Sequence, residues 1–370
     1  MRRKVMLKEV ISVVKLSLFP VWGWPLPQDT TKFKIFCVKL HHYLCIILGL
    51  GLMVPLTYDI TNYLDDPITL VNQILVLSST SHAIANFIFE IVNYHRIQNV
   101  TFEMVHFCNL MKPHEEVVIQ RYINKCIMFH SICLFFIYFP ITIAVPILLH
   151  QPFPVIIKYP FNISYQPVKT IIFIHQSMMA IMIAGQLCMN ILMALLLWFT
   201  SARFEILIEE LRKITNVYQL FKCIKKHQEL LKYAREVTIA ARPFAFSTIC
   251  CSTVCLILVF LLVIKRQSTT MIFQFFGISI IGTLEVFTYT WPAEHLMYMS
   301  KDVAEATFNM LENDHLIKIW KCLQIIIMRS QKSVTVSIPC LLPILSLNYF
   351  TSYLSTVLSY FTTLRVIMDD

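Results

Sequence analysis

Residues Ser337–Asp370 read SIPCLLPILSLNYFTSYLSTVLSYFTTLRVIMDD. The stretch is long and apolar enough to cross a bilayer, which takes roughly 20 apolar residues. It also carries Asn348, Ser352, Ser355, Thr356, Ser359, Thr362 and Thr363 at steps of three and four. That is the helical period, so these side chains share one face. Tyr349, Phe350, Tyr353, Leu354, Leu358 and Phe361 fall largely elsewhere. Two readings fit a hydroxylated face on an apolar helix: close packing against another membrane helix, or a wet face lining a pore.

The rest of the chain agrees with a membrane setting. Its 370 residues are 57% hydrophobic and 14% charged, against roughly 25% charged in a globular domain. Its 6 glycines form neither a phosphate-cradling nor a dinucleotide-binding loop, which argues against an ATP-driven machine or a dinucleotide enzyme. Seven segments are long enough to span: about 40–58, 68–94, 127–149, 170–199, 244–264, 270–291 and 338–367. The second is diluted by Asn72, Gln73, Ser78–Ser81, His82, Asn86 and Glu90, and such polarity requires a helix facing protein or a watery cavity. Ahead of the spans, Val5–Phe19 reads as an amphipathic helix lying on the membrane, with Trp22 and Trp24 at head-group level.

Basic residues set the orientation. With the N-terminus inside, 26 of the 31 Lys and Arg fall in inner segments, while the first outer loop carries Asp59, Asp65 and Asp66. Seven spans then leave the C-terminus outside, the reverse of a G-protein-coupled receptor. In this topology the 12 cysteines lie in spans or inner segments, so no outer disulfide is expected. The sequon at Asn162 falls outside, where a glycan can be added, and the one at Asn99 falls inside.

The expected architecture is an all-α polytopic membrane protein with long cytoplasmic helical extensions. Its parts are a cytoplasmic or interfacial segment (1–39), spans 1–4 (40–200), a cytoplasmic helical segment (201–243), spans 5–6 (244–291), an anchor helix (292–337), and span 7 with a short outer tail (338–370). In 201–242, Phe204, Leu207, Ile208 and Leu211 share one side; in 292–333, Leu296, Met299, Val303, Ala306, Met310 and Leu311 do so. The pattern fits either a bundle below the membrane or amphipathic helices lying on its surface.

No catalytic, metal or cofactor constellation is present. Cys250, Cys251 and Cys255 lack a nearby His or a paired C-x-x-C, and they read as small packing residues. His41-His42 and His82 read as satisfied polar groups. Glu285 in span 6 stands out, because a buried acid costs on the order of 3 kcal/mol in a bilayer and usually faces a cavity or partner. A pocket for apolar ligands is expected in the outer halves of the spans. Its candidates are Phe136, Tyr138, Phe139 and Thr142 of span 3, His175, Met178 and Met182 of span 4, and Phe273 and Phe276 of span 6.

The run Met328-Arg329-Ser330-Gln331-Lys332-Ser333 resembles the arginine-glutamine-lysine-proline signature before the last span of insect odorant receptors. Ser300, Val303 and Ala306 match that family's serine-valine-alanine pattern, and Ser346-Leu347 with Ser359–Leu364 resembles its final helix. Ser333 replaces the usual proline, Phe308 a common tyrosine, and Leu311 and Glu312 stand near an expected tryptophan. The resemblance implies a ligand-gated, non-selective cation channel of four subunits, in the plasma membrane of olfactory sensory neurons. The short 201–242 segment lacks the co-receptor's long insertion, so it implies a ligand-tuning subunit partnered by that co-receptor. It places Thr363 and Ile367 at the pore constriction, in line with Ser352, Thr356 and Ser359. A homomeric gustatory-type channel is the alternative within reach of the same features.

Overall fold

The computed structural model describes residues 7–62, 67–148, 153–155, 157–163, 165–264, 269–309 and 320–369, with side chains at all but 62, 67–68, 140–148, 261–264, 269–275, 364–365 and 367–369. It is helical almost throughout: α1 (Leu7–Ser17), a short 3-10 turn (Phe19–Val21), α2 (Lys32–Asn62), α3 (Pro67–Leu110), α4 (Pro113–Leu148), α5 (Val168–Leu211), α6 (Val217–Ile264), α7 (Thr269–Asn309), α8 (Trp320–Gln331) and α9 (Leu347–Asp369). The extended pairing found among the described residues is a single bridge between Ile338 and Leu342.

Helix α5 is the centre of the bundle. Its apolar residues continue all round the helix, so it has no side suited to water, and nearly every residue from Ala184 to Ala202 is buried. Helices α2, α3, α4, α6 and α7 pack around it. At 44 residues and about 1.5 Å per residue, α5 is roughly twice as long as a bilayer core is thick. It runs straight into the basic end of the bundle, and α6 and α7 do the same. There Phe204, Leu207, Ile208, Leu211, Leu296, Val303 and Ala306 are all buried. The inter-span segments therefore form a bundle continuous with the spans rather than helices lying on a surface.

Among the described residues, five helices are long and apolar enough to cross a membrane, namely those within α2–α6. The sixth apolar segment is also helical, in α7, and so is the seventh from Leu347 on, in α9. Span 2 behaves as its polarity demands: Gln73, Thr80, His82, Asn86 and Glu90 are all buried in protein. Outward positions are apolar, including Ile47 and Val54 on α2, Ile88 and Val92 on α3, and Ile171 and Ile174 on α5.

Two expectations are corrected. Helix α1 forms, but Leu7, Val10, Val14 and Ser17 are buried against α4 and α5, so its main apolar stripe meets protein, while Val13 and Leu16 are exposed. The Tyr138 hydroxyl donates to the Ser17 carbonyl at 2.6 Å, and the Val21 side chain sits against the bare backbone of Gly185 on α5. The last helix begins at Leu347, not near Ile338. Pro339 and Pro343 lack the amide a helix needs, and Ile338–Leu345 instead makes a tight reversal, with Leu345 N donating to Val336 O at 3.0 Å. Cys340 adopts a left-handed φ of 64° at its tip.

Candidate ligand cavity and the polar face of the last helix

Near the middle of the bundle, α4, α5 and α7 each present a stripe at helical spacing. Cys133, Phe136 and Ile137 come from α4, Leu187, Asn190 and Ile191 from α5, and Ile281, Leu284, Glu285 and Thr288 from α7. Together they line a cavity with room for about one water (≈ 10 Å³). The walls are apolar apart from Cys133, Asn190, Glu285 and Thr288. Glu285 Oε2 accepts from the Ser252 hydroxyl at 3.2 Å, while Oε1 has no partner. Asn190 Oδ1 accepts from the Tyr289 hydroxyl at 2.8 Å and from Thr248 at 3.2 Å, while its Nδ2 has no partner. Thr248 lies 3.3 Å from His82 Nε2, so α3, α5, α6 and α7 meet in one hydrogen-bonded group.

Of the residues expected in an outer-half pocket, Phe136 lines this cavity, which in the expected topology lies nearer the inner ends of spans 3 and 6, close to Cys133 and Thr288. Tyr138 is turned to α1, and His175 Nε2 lies 3.0 Å from the Leu48 carbonyl of α2, so both are engaged in helix packing. Met182 is buried in the core. Phe139 is exposed and stacks on Phe135 at 4.5 Å; Met178 and Phe276 are also exposed. Thr142 and Phe273 lie outside the residues whose side chains are described. Spans 3, 4 and 6 are the three that meet. The polar pair they share is half visible in sequence: Glu285 stands out as an intramembrane acid, and Asn190, with Gln186 four residues before it, is an amide in an apolar run.

Helix α9 packs on α6 and α7 by one face only. Tyr353 and Val357 are buried, while Asn348, Ser352, Ser355, Thr356, Ser359, Thr362 and Thr363 are exposed. Thr356 donates to the Ser352 carbonyl at 2.8 Å, and Thr362 and Thr363 each donate to that of Ser359 at 2.9 Å. Their hydroxyl protons are thus held by the helix itself, with oxygen lone pairs facing out. Ile367 lies outside the described side chains. The covered face is tied to the bundle by Thr253, which donates to the Tyr353 hydroxyl at 3.3 Å, and by Phe350 edge-on to Phe287 at 5.2 Å.

Elsewhere several polar residues are engaged by structure, although His42 Nδ1, Glu90 Oε1, Gln186 Oε1 and both ring nitrogens of His130 also lack a partner. His42 Nε2 lies 3.2 Å from the Val21 carbonyl and 3.6 Å from Glu90, whose other partner is Gln186 at 3.2 Å. His41 stacks on Trp22 at 4.7 Å. All 12 cysteines are free. Among the described residues, His114, Glu115 and Glu210 bring possible metal-ligating atoms within 4.8 Å of one another. Glu210 is already held by Lys226, and Glu115 accepts from the Lys112 amide at 2.8 Å. Asn162 is exposed in the loop before α5, and Asn99 lies inside α3, accepting from Gln28 at 3.1 Å.

These features define a polytopic helical membrane protein with an internal, mostly apolar cavity and a last helix whose polar face is left open. Residues 68–358 match the family model for the 7tm odorant receptors, and the chain belongs to that family. It is a multi-pass membrane receptor of the olfactory class, not an enzyme. The fold is that of the insect olfactory receptor OR5 from Machilis hrabei. The chain superposes on its complex with eugenol with a TM-score of 0.78 at 16% identity, over 98% of each chain. A second structure of the same receptor gives 0.78 and 16%, over 97% of this chain and 98% of that one. No curated protein matches the chain by sequence.

Proposed function

We propose that this chain is the ligand-tuning subunit of an odorant-gated, non-selective cation channel, assembled as a heterotetramer with a shared co-receptor in the plasma membrane of olfactory neurons. The observation that carries this reading is the hydroxylated face of α9. A membrane helix with one face packed on its own chain and the other lined by seven polar residues needs either water or other subunits on that second side. A central pore supplies both. Ser352, Thr356, Ser359 and Thr363 line it in this reading, with Thr363 and Ile367 at the constriction, where a hydroxyl eases wetting.

Small apolar ligands enter the cavity between α4, α5 and α7. Binding opens the channel only to the extent that the ligand prefers the open arrangement. The contacts of α9 with Thr253 and Phe287 are where that preference reaches the pore helix, since Phe287 sits on α7, which lines the cavity, and Thr253 follows Ser252, the partner of Glu285. The basic end of the bundle faces the cytoplasm, and the loop bearing Asn162 faces outward and takes a glycan.

Current from excised patches in nucleotide-free solution, with and without the co-receptor, tests the proposal. Odorant-evoked cation current that needs both subunits is the expected result. Current from this chain alone moves it to a homomeric channel. Responses seen only in intact cells with G proteins overturn the channel reading.

A further inference from the structure

The cavity pairs two buried groups of opposite character that no side chain satisfies. Glu285 Oε1 is a bare acceptor and Asn190 Nδ2 a bare donor, and both residues line the same space. Glu285 is 8% exposed and Asn190 2%. Orphaned polar atoms at this depth are costly. The cavity they line has room for about one water (≈ 10 Å³), which both donates and accepts.

We infer that this cavity selects apolar ligands carrying a hydroxyl group, an alcohol or phenol, whose oxygen takes the place of that water between Glu285 and Asn190. The inference rests on the channel reading above and names the ligand class for it. A hydroxyl donates its proton to Glu285 Oε1 and accepts from Asn190 Nδ2, so both orphans are satisfied at once. A ligand that displaces an ordered water keeps its affinity only if it reproduces the water's bonds. An ether or ketone accepts from Asn190 but turns lone pairs on the carboxylate. An ammonium group donates to Glu285 but meets the amide donor. A hydrocarbon leaves both atoms unpaired. The carbon skeleton of the ligand lies along the stripe of Phe136, Leu187, Ile281 and Leu284, pushing these side chains apart.

The Glu285 side of the cavity is joined to the pore helix. Glu285 holds Ser252 on α6, and the next residue, Thr253, holds Tyr353 of α9. Adjacent residues of one helix thus face the ligand group on one side and the pore helix on the other. A hydroxyl drawing on Glu285 acts directly on that link.

The test is a concentration–response comparison on the receptor expressed with its co-receptor. It uses an alcohol, its methyl ether, the primary amine and the parent hydrocarbon on one carbon skeleton, across several skeletons. On skeletons that activate, the alcohol is expected to be more potent than the other three by roughly tenfold or more. In Glu285→Leu that ratio falls to near one. Glu285→Gln, which keeps the shape and a carbonyl acceptor, retains part of the preference and serves where the leucine variant does not reach the surface. Equal potency of alcohol, ether and hydrocarbon in the unmutated receptor overturns the inference and leaves the channel reading standing. A preference that survives unchanged in both variants also overturns it. Absence of current to every class, with both subunits at the surface, is a failure of the channel reading itself.

Discussion

Substituting Gly185 by alanine tests how the N-terminal segment is locked into the bundle. A Cβ built at Gly185 falls 2.6 Å from Val21 Cγ1, 3.1 Å from Cγ2 and 3.4 Å from Cβ. Val21 is fully buried, branched at Cβ and stiff in χ1, so its methyl groups cannot swing aside cheaply. Its backbone is pinned as well. The Val21 carbonyl lies 3.2 Å from His42 Nε2, and the turn is closed by Trp22 N to Phe19 O and Gly23 N to Leu18 O, both at 3.2 Å. Overpacking of this kind costs about 1–3 kcal/mol. Val21→Ala alone removes two buried methyl groups, at about 0.8 kcal/mol each. In the double variant the new methyl occupies the space the valine vacated. The two changes therefore couple favourably by about 1–3 kcal/mol. The assay is the fraction of detergent-solubilised receptor that stays monodisperse after heating. Gly185→Ala is expected to lower its midpoint by a few degrees in the natural background and by little in Val21→Ala. Equal losses in both backgrounds refute the close approach of the turn to α5.

Two further outcomes follow from the same frame. Tyr138→Phe deletes the hydrogen bond to the Ser17 carbonyl and is expected to lower heat stability by about 1 kcal/mol, with odorant potency unchanged; a changed potency with unchanged stability assigns Tyr138 to the ligand instead. His227, at the basic end of the bundle, has its pKa lowered from 6.5 to about 4 by burial and by the nearby Arg329 guanidinium. Between those values the folded chain keeps it neutral while the unfolded chain protonates it. Stability is therefore complete above about pH 6.5 and declines as pH falls toward 4. His227→Leu is expected to flatten that decline in a pH series of melting curves. His295 contributes in the same direction, lowered to about 4 by burial and by Lys125.

Much of this architecture is legible along the chain because membrane helices obey one-dimensional rules. The seven apolar runs, the basic bias and the three-and-four spacing of the hydroxyls on α9 need no knowledge of partners. The polar residues of span 2 gave away their burial, since Asn86 and Glu90 cannot face lipid. Hydropathy alone starts α9 too early; Pro339 and Pro343 carry the signal that the helix starts later, at Leu347. Which apolar residue meets which was not legible. Tyr138 and His175 look like pocket residues by type, yet their partners are Ser17 and Leu48, far away in sequence. Asn190 and Glu285 become a pair only when α5 crosses α7. Single intramembrane amides and acids, read together, are the sequence signal closest to that pair.

Accessibility along α9 bears most directly on the pore. Cys250 and Cys340, the exposed natural cysteines, are replaced by serine, and single cysteines are introduced at Ser352, Thr356, Ser359, Tyr353 and Val357. A charged thiol reagent is applied during odorant-evoked current from the assembled channel. The expected result is irreversible block at Ser352, Thr356 and Ser359, faster while odorant is present, and no effect at Tyr353 or Val357. Unreactive stripe positions in channels that still conduct, or block at Val357, would contradict a pore lined by the polar face of α9.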